Sequence, residues 1–567
     1  MNNSGVRAAH LGDFTLTPRT LLITTVALVI GGASAVAAFC LLRLIGLVTN
    51  AVFYQRLSTS MAAPGAAHHP WWLILLAPVA GGLVVGLMAR YGSEKIRGHG
   101  MPETIDAIVT GGSKVAPRVA ILKPLSAAVS IGTGGPFGAE GPIIMTGGAV
   151  GSILAQCLHL SADERKALLV AGAAGGMAAT FNAPLASILL AVELLLFEWR
   201  PRSLIPVCAS VTVATACRWA LLGSGTLFPV SGAVRPDAAA IALTLVPGLS
   251  GGLLALIATA LVYKSEDAFA RLPVHWMWWP AIGGLIIGVG GLFEPRALGV
   301  GYDVIGTLLT GRAGLSLMVG ILVVKTLIWS LSLGSGTSGG VLAPTFMIGG
   351  ALGALEGQAL PHVFAGFWAM AGLAAVLGGV MRSPLTGIVF TLELTGAWDS
   401  LLGLVVASVS AYALSALVLK RSVLTEKVAR RGIHLTREYS TDPLEVFFAR
   451  EVMTSAAPPR GPAGAAPPPG VAGARPDPAV TVYCDSTLRE VANEFARRGA
   501  TVAAVVDRAA PGRVVGQVTL DQLLHARRED LREEEHRERP LPVLLLPPGM
   551  PLPGRPAPDR GDSVKPG

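Results

Sequence analysis

The chain has 567 residues, of which 52% are hydrophobic and only 14% charged, with a mean hydropathy of +0.58. Soluble domains carry about 25% charged residues, so this composition excludes a soluble globular protein and defines a membrane class. The formal net charge of +8 does not signal nucleic acid, because the basic residues are scattered over helix ends and loops where membrane topology accounts for them. The five cysteines lack the spacing of metal ligands. Cys40, Cys157, Cys208 and Cys217 lie in apolar segments and read as small buried hydrophobes, Cys484 lies outside them, and no metal site is expected.

In chain order, residues 1–19 form a short N-terminal segment expected on the cytoplasmic side. The apolar run over 21–47 is too long for a signal-peptide core and predicts a spanning helix. Apolar segments then follow one another to residue 419 without a long polar interruption. Some are long enough to span, such as ALTLVPGLSGGLLALIATALVY. Others, such as ILKPLSAAVSIGTGG and GGVLAPTFMIGGALGAL, are short and cut by glycine or proline. Spanning needs about 20 apolar residues. Broken segments persist at membrane depth only where protein or a water-filled path covers the freed backbone groups. The pattern therefore predicts re-entrant helices around a site.

The chain also repeats itself. Residues 123–156 align with 325–358 at an offset of 202, and 13 of the 34 positions are identical, including both lysines and the pairs Gly138/Gly340 and Pro142/Pro344. GAAGGMAATFNAPLASILLAVEL then matches GLAAVLGGVMRSPLTGIVFTLEL at an offset of 200, aligning Pro184 with Pro384 and Glu193 with Glu393. Duplicated halves, about 20–222 and 238–421, with interrupted segments in matching positions mark a transporter fold whose site lies between the repeats. After this membrane domain over 20–421 comes a charged connector over 422–454. A Pro/Ala/Gly-rich linker over 455–478 follows. A small α/β module over 479–530 reads as strand, helix, strand, turn, strand, helix. The tail over 531–567, charged and then proline-rich, is expected to be disordered.

Three glycine-rich turns open into helices: GHGMPE at 98–103, GAEGP at 138–142 and GSGTSGGVLAP at 334–344. Such turns expose backbone N–H groups at helix N-termini, which bind anions without a full positive charge. Lys123 and Lys325, one per half, would raise the local potential, or would only pair with acids. Glu140 is the lone carboxylate of its stretch, GPFGAEGPIIMTGG. Its partner in the second half is Leu342, so both halves keep the glycine and proline frame and one adds a tethered negative charge. GSGTSG has the GxGxxG form, but no strand precedes it, which argues against a dinucleotide site. GTSG has the look of a membrane serine protease, with Ser338 as nucleophile and His362 as the nearby later histidine. A histidine on a later membrane helix is required, and His362 falls in a loop, so an enzyme is not expected.

On the motifs GHGMPE, GAEGP, FNAPLA at 181–186 and GSGTSGGVLAP, in that order, the chain resembles the CLC chloride channels and proton-coupled chloride transporters over about residues 20–528. The resemblance implies an all-α polytopic membrane protein of two inverted repeats of tilted and re-entrant helices. It implies a homodimer with one anion pathway per subunit, chloride as the default anion, and protons as a second ion. Glu140 matches the gating glutamate. The anion cradle would be formed by His99, Gly100, Gly138, Gly141, Val341 and Leu342, with the backbone amides of Val341 and Leu342 on the central anion. His99 stands where the family has a serine hydroxyl, and Ala139 replaces a basic residue. Leu424 stands where a tyrosine hydroxyl is usual. Leu194 stands where proton-coupled members have an inner glutamate, and the preceding Glu193 is the remaining proton-relay candidate, whereas Glu393 reads as a satisfied helix acid. Channel-like flux gated by Glu140 is the first reading and chloride/proton exchange the alternative; Pro142 keeps the GxEGP form and sets a fluoride-selective variant aside. The location implied is a bacterial inner membrane, among lipid, with the C-terminal domain in the cytoplasm. That domain resembles a CBS domain, which implies an adenine nucleotide as a candidate ligand, although Gln522 takes the place of the usual acid and Asp521 falls one residue early. A nucleotide-sensing membrane receptor is the reading from a different class.

Overall fold

The computed structural model describes Leu16, residues 18–158, 160–431, Leu444, 447–455, 480–508, 510–525 and Arg528. The linker beyond Ser455 and the tail fall outside the described residues, as does most of the N-terminal segment. The chain divides near residue 440 into two units, which are described separately.

The first unit is helical throughout. Its first half comprises α1 (Arg19–Tyr54), α2 (Trp71–Tyr91), α3 (Met101–Val109), α4 (Pro117–Gly132), α5 (Glu140–Gln156), α6 (Ala162–Phe181), α7 (Pro184–Leu190) and α8 (Pro201–Leu222). The second half comprises α9 (Ala238–Leu243), α10 (Leu245–Ala270), α11 (Trp279–Phe293), α12 (Tyr302–Leu309), α13 (Leu315–Gly320), α14 (Thr326–Gly334), α15 (Leu342–Glu356), α16 (Phe367–Met381), α17 (Pro384–Thr395) and α18 (Leu401–Val418). A short helix, α19 (Val423–Ala429), opens the segment read as connector and packs against α3. Seven helical stretches among the described residues are long and apolar enough to cross a membrane, while the α15, α16 and α17 segments are shorter.

Helix starts follow local chemistry. Pro117, Pro184, Pro201 and Pro384 occupy first-turn positions, where the missing N–H costs nothing. Ser161 caps α6 by accepting from Glu164 N at 3.3 Å, and Glu164 returns the bond to Ser161 N at 2.8 Å. Asn182 and Arg382, 200 residues apart, both end their helices in the left-handed region, at φ 57° and 54°. The repeat is therefore present in the backbone as well as in the side chains.

The packing is also duplicated. α5 lies on α6 and α1 on α8, as α15 lies on α16 and α10 on α18. A Cβ on Gly147 would overlap the Gly172 carbonyl, and one on Gly349 the Gly372 carbonyl. Lipid gives no hydrophobic drive for helix pairing, so small residues that let backbones approach set these seams. Reciprocal bonds then join the halves. Glu193 accepts from Leu385 N at 3.3 Å, Thr386 N at 2.9 Å and Thr386 Oγ1 at 2.6 Å. Glu393 accepts from Leu185 N at 3.0 Å and Ala186 N at 2.8 Å. When residue i of one repeat meets j of the other and the counterpart of j meets that of i, a two-fold relation is present. The unit is an all-α fold of two inverted repeats.

The second unit is a four-stranded sheet in the order β1-β4-β3-β2, from β1 (Thr454–Ser455), β2 (Thr481–Tyr483), β3 (Val502–Asp507) and β4 (Ala510–Thr519). β2 and β3 are parallel and joined by the helix Leu488–Arg498, which Thr487 caps by accepting from Glu490 N at 3.3 Å. Val482, Val491, Phe495, Val505 and Val518 fill its core. Gln522 is engaged locally, accepting from Thr519 N at 2.9 Å and donating to Thr454 Oγ1 at 2.7 Å.

Candidate functional site

The site forms where α5 and α15 begin. The segments leading into the two helices pair with each other: Gly340 N donates to Gly138 O at 2.7 Å, and Gly138 N to Gly340 O at 3.3 Å. These residues are 202 apart, so this pair is the repeat meeting itself. Two helix N-termini thus converge, each with unbonded N–H groups and a positive partial charge.

Glu140 is the first residue of α5 and is fully buried. Its carboxylate reaches across to α15 and accepts from Ala343 N at 2.7 Å. The amides of Leu342 and of Glu140 itself also face it. Oε2 lacks a hydrogen-bond partner. The carboxylate thus takes the place an anion would take at these amides, with its charge offset by oriented dipoles rather than by a cation. Ala343, which donates this bond, is a further candidate position at the site. Its contribution is a backbone N–H, which no side-chain signal reports.

The third glycine turn is held to this pair. Gly98 N bonds to Gly336 O at 3.4 Å, and Lys123 Nζ donates to Ile96 O at 2.8 Å and Gly98 O at 2.7 Å. Lys325 does the same in the other half, donating to Ala297 O and Gly299 O, each at 2.8 Å, while Gly299 N bonds to Gly134 O at 3.1 Å. Both lysines are fully buried and anchor a loop each. The repeat thus extends upstream: GHG at 98–100 has a counterpart in GVG at 299–301, at an offset of 201 rather than 202.

Glu103 orders the GHG loop from the helix side. Its Oε2 accepts from Gly100 N at 3.0 Å, and its Oε1 lies 3.0 Å from Lys427 Nζ and 3.4 Å from Arg431 Nη2. Lys427 is on α19 and Arg431 just beyond it, so α19 is clamped to the loop. Tyr263 adds a hydroxyl bond to the Val423 carbonyl at the α19 start. A cavity of about 530 Å³ opens beside this clamp, with Arg97, Lys114, Lys427, Arg430 and Arg431 among its walls. Its basic side chains outnumber its acids, which favours an anion there. A smaller cavity of about 110 Å³ lies at the GVG loop, walled by Gly299, Val300, Gly301, Tyr302 and Asp303 with Thr49. Because the repeats are inverted, the two mouths face opposite sides.

Of the other predicted residues, His99 is buried in its loop, and its Nδ1 has no hydrogen-bond partner. Gly100 and Gly141 pack backbone to backbone, which places the GHG loop at the α5 start. Val341 precedes α15 and is buried with Leu342. Leu194 and Leu424 are fully buried in the apolar core. The Glu193 bonds given above lead to the start of α17. Ser338 Oγ takes a hydrogen bond from Ser126 Oγ at 3.0 Å, and His362 lies in the connection between α15 and α16.

Reciprocal capping by Glu193 and Glu393 leads to a stability prediction. Replacing either with alanine leaves two amide donors of the facing helix without their acceptor. Each change should cost about 1–3 kcal/mol, read as an earlier thermal transition in detergent. Equal transitions for native and Glu393→Ala chains would disprove it.

Two inverted repeats with helix N-termini meeting at a protected carboxylate define an anion-translocating membrane protein. A family model described as voltage gated chloride channel matches residues 80–416. The voltage-gated ClC-type chloride channel ClcB of Escherichia coli (strain SMS-3-5 / SECEC) is 31% identical over 429 residues, 73% of this chain and 100% of that protein. Among solved structures, a slow cyanobacterial Cl−/H+ antiporter aligns with a TM-score of 0.63 at 22% identity, over 74% of this chain and 99% of that one. A eukaryotic CLC transporter aligns with a TM-score of 0.60 at 19% identity, over 88% of this chain and 98% of that one. The chain belongs to the CLC voltage-gated chloride channel family and is a multi-pass integral membrane protein. The family match ends before the C-terminal α/β unit.

Proposed function

We propose that the protein moves chloride across a bacterial inner membrane as a homodimer, each subunit using its own pathway, and that it exchanges chloride for protons. The observation that carries this reading is the Glu140 carboxylate seated on the α15 amides, where it accepts from Ala343 N at 2.7 Å. An anion can take that place only when the carboxylate leaves. Two like charges in one cradle repel, so an arriving anion favours protonation of Glu140, and the two ions become linked. Exchange therefore stands ahead of the passive flux expected from the sequence. The fold neighbour described as a Cl−/H+ antiporter supports exchange, and the E. coli relative's name, a chloride channel, supports passive flux. Leu194 and Leu424 contribute no polar group to a proton route or to the anion filter.

The test is purified protein in liposomes under a chloride gradient with pH recorded inside. Protons driven uphill by chloride are the expected result. Chloride flux without proton movement would leave the channel reading and end the exchange reading.

His99 is the candidate side-chain donor of the GHG loop, which packs against the α5 start at Gly141. His99→Ser should shift the chloride concentration at which flux is half-maximal by replacing a buried imidazole with the smaller hydroxyl donor usual at this family position. An unchanged concentration would place the ring outside the pathway. The C-terminal unit is read as a CBS-like domain in the cytoplasm. Gln522 in its capping bonds leaves no acid at the usual nucleotide position, which favours a structural role over adenine nucleotide sensing.

A further inference from the structure

The mouth formed by the second half contains a hydroxyl that the proposed transport cycle has not used. Tyr302 opens α12, immediately after the GVG loop. Its ring is part of an aromatic group: it stands edge-on to Phe181, with centroids 6.2 Å apart, and to Phe228 at 5.8 Å. Phe181 continues to Phe390 at 5.1 Å, and Phe390 to Phe346 at 5.0 Å, one turn along α15 from Ala343. The group thus reaches from the mouth to the helix start that holds Glu140. The residue itself is only half-buried and walls the smaller cavity, yet its hydroxyl oxygen is sealed from solvent and lacks a hydrogen-bond partner.

A sealed phenol without a partner is costly, because burial strips the hydroxyl of the hydrogen bonds that water gave it. Phenylalanine would fill the same space without that cost. Glu140 has the matching deficiency, since its Oε2 is also sealed and unpartnered. The aromatic group leads from this phenol to the α15 start on which that carboxylate sits. The charged groups around this mouth include Lys325, whose Nζ is tied to Ala297 O and Gly299 O, and the exposed Asp303, which pairs with Arg296 at 3.7 Å.

We propose that the Tyr302 hydroxyl is the second seat of the Glu140 carboxyl, the group it bonds when an anion displaces it from the α15 amides. The phenol donates to the carboxylate oxygen as Glu140 arrives. Once Glu140 takes up a proton that enters from solution through the smaller cavity, the pair stays bonded with either oxygen as donor. Without this seat, a displaced carboxyl would enter an aromatic surround that cannot hydrogen-bond it, and the cradle would reclose. Tyr302 is accordingly a positioning residue for the gate, and this role rests on the transport reading above.

The experiment is a double-mutant cycle in liposomes with chloride flux as the readout. Tyr302→Phe removes only the hydroxyl and should lower flux about tenfold, the effect of one hydrogen bond to a charged group. Tyr302→His, which keeps a donor, should recover part of that loss. In the Glu140→Ala background the same Tyr302→Phe change should alter flux by less than about twofold, because the partner is already gone. An equal loss in both backgrounds would mean that the hydroxyl acts elsewhere, and an unchanged flux for Tyr302→Phe alone would mean that it does not act at all; either overturns the proposal. A native chain that passes no chloride would instead overturn the transport reading itself.

Discussion

Replacing Glu140 with alanine should raise chloride flux at neutral pH by on the order of tenfold or more and flatten its dependence on pH. The carboxylate accepts from Ala343 N at 2.7 Å and occupies the amides an anion needs. A hydrogen bond from a neutral donor to a charged group is worth about 1.5–3 kcal/mol, and chloride must displace it. Alanine leaves those N–H groups to the anion. The sign of the pH effect in the native chain follows from the same competition. Protonation removes the tethered charge, so flux rises as pH falls. Without Glu140 nothing on that cradle titrates, and the profile should be flat. Any proton movement driven by chloride should also vanish, turning exchange into passive flux. Glu140→Gln keeps the shape and the acceptor but not the charge, and should be flat with a smaller gain. A Glu140→Ala chain with the native pH profile would remove Glu140 from the gate.

Glu103→Ala should be the most destabilising single change near the site. Glu103 joins three groups: Gly100 N at 3.0 Å, Lys427 at 3.0 Å and Arg431 at 3.4 Å. Its side chain is only 5% exposed and that of Lys427 19%, so the loss strands a cation in a poorly solvated place. Breaking one side of a buried ion pair costs about 3–5 kcal/mol. Arg431 is 39% exposed and adds little to this, since exposed pairs are worth about 0–1 kcal/mol. Glu103→Gln keeps an acceptor for Gly100 N and should lose clearly less. The measurement is the thermal transition in detergent, together with anion affinity, because the same bond fixes the GHG loop at the α5 start. Equal transitions for Glu103→Ala and native protein would show that the α19 clamp carries no stability.

Much of this was legible along the chain. Segment lengths and the interrupting glycines gave the membrane class and the re-entrant character. The offset of 202 already aligned Lys123 with Lys325 and Gly138 with Gly340, and these pairs turn out to be related positions in space. Glu140 stood out as a lone acid in a glycine frame. The Ala343 amide did not, because backbone donors carry no residue-type signature. Tyr302 was missed for a different reason: its motif, GVGYD, kept the glycines of GHGMPE and lost the rest, at an offset changed by one residue. Glu193 and Glu393 aligned as a repeat pair, but that each caps the facing half's helix depends on contacts across about 200 residues, as the bonds to Leu385 and Leu185 show.

The sequence by itself determined that this is a duplicated, broken-helix membrane protein with one added carboxylate between glycine turns. Hydropathy, length and repetition are properties of the chain order, and they survive without coordinates. Only the tertiary structure decided what that carboxylate touches. Glu140 meets Ala343 because inverting one repeat against the other brings two helix N-termini head to head. The charge that looked unsupported in the sequence is held by dipoles 203 residues away, and such an arrangement exists only once both halves have folded around it.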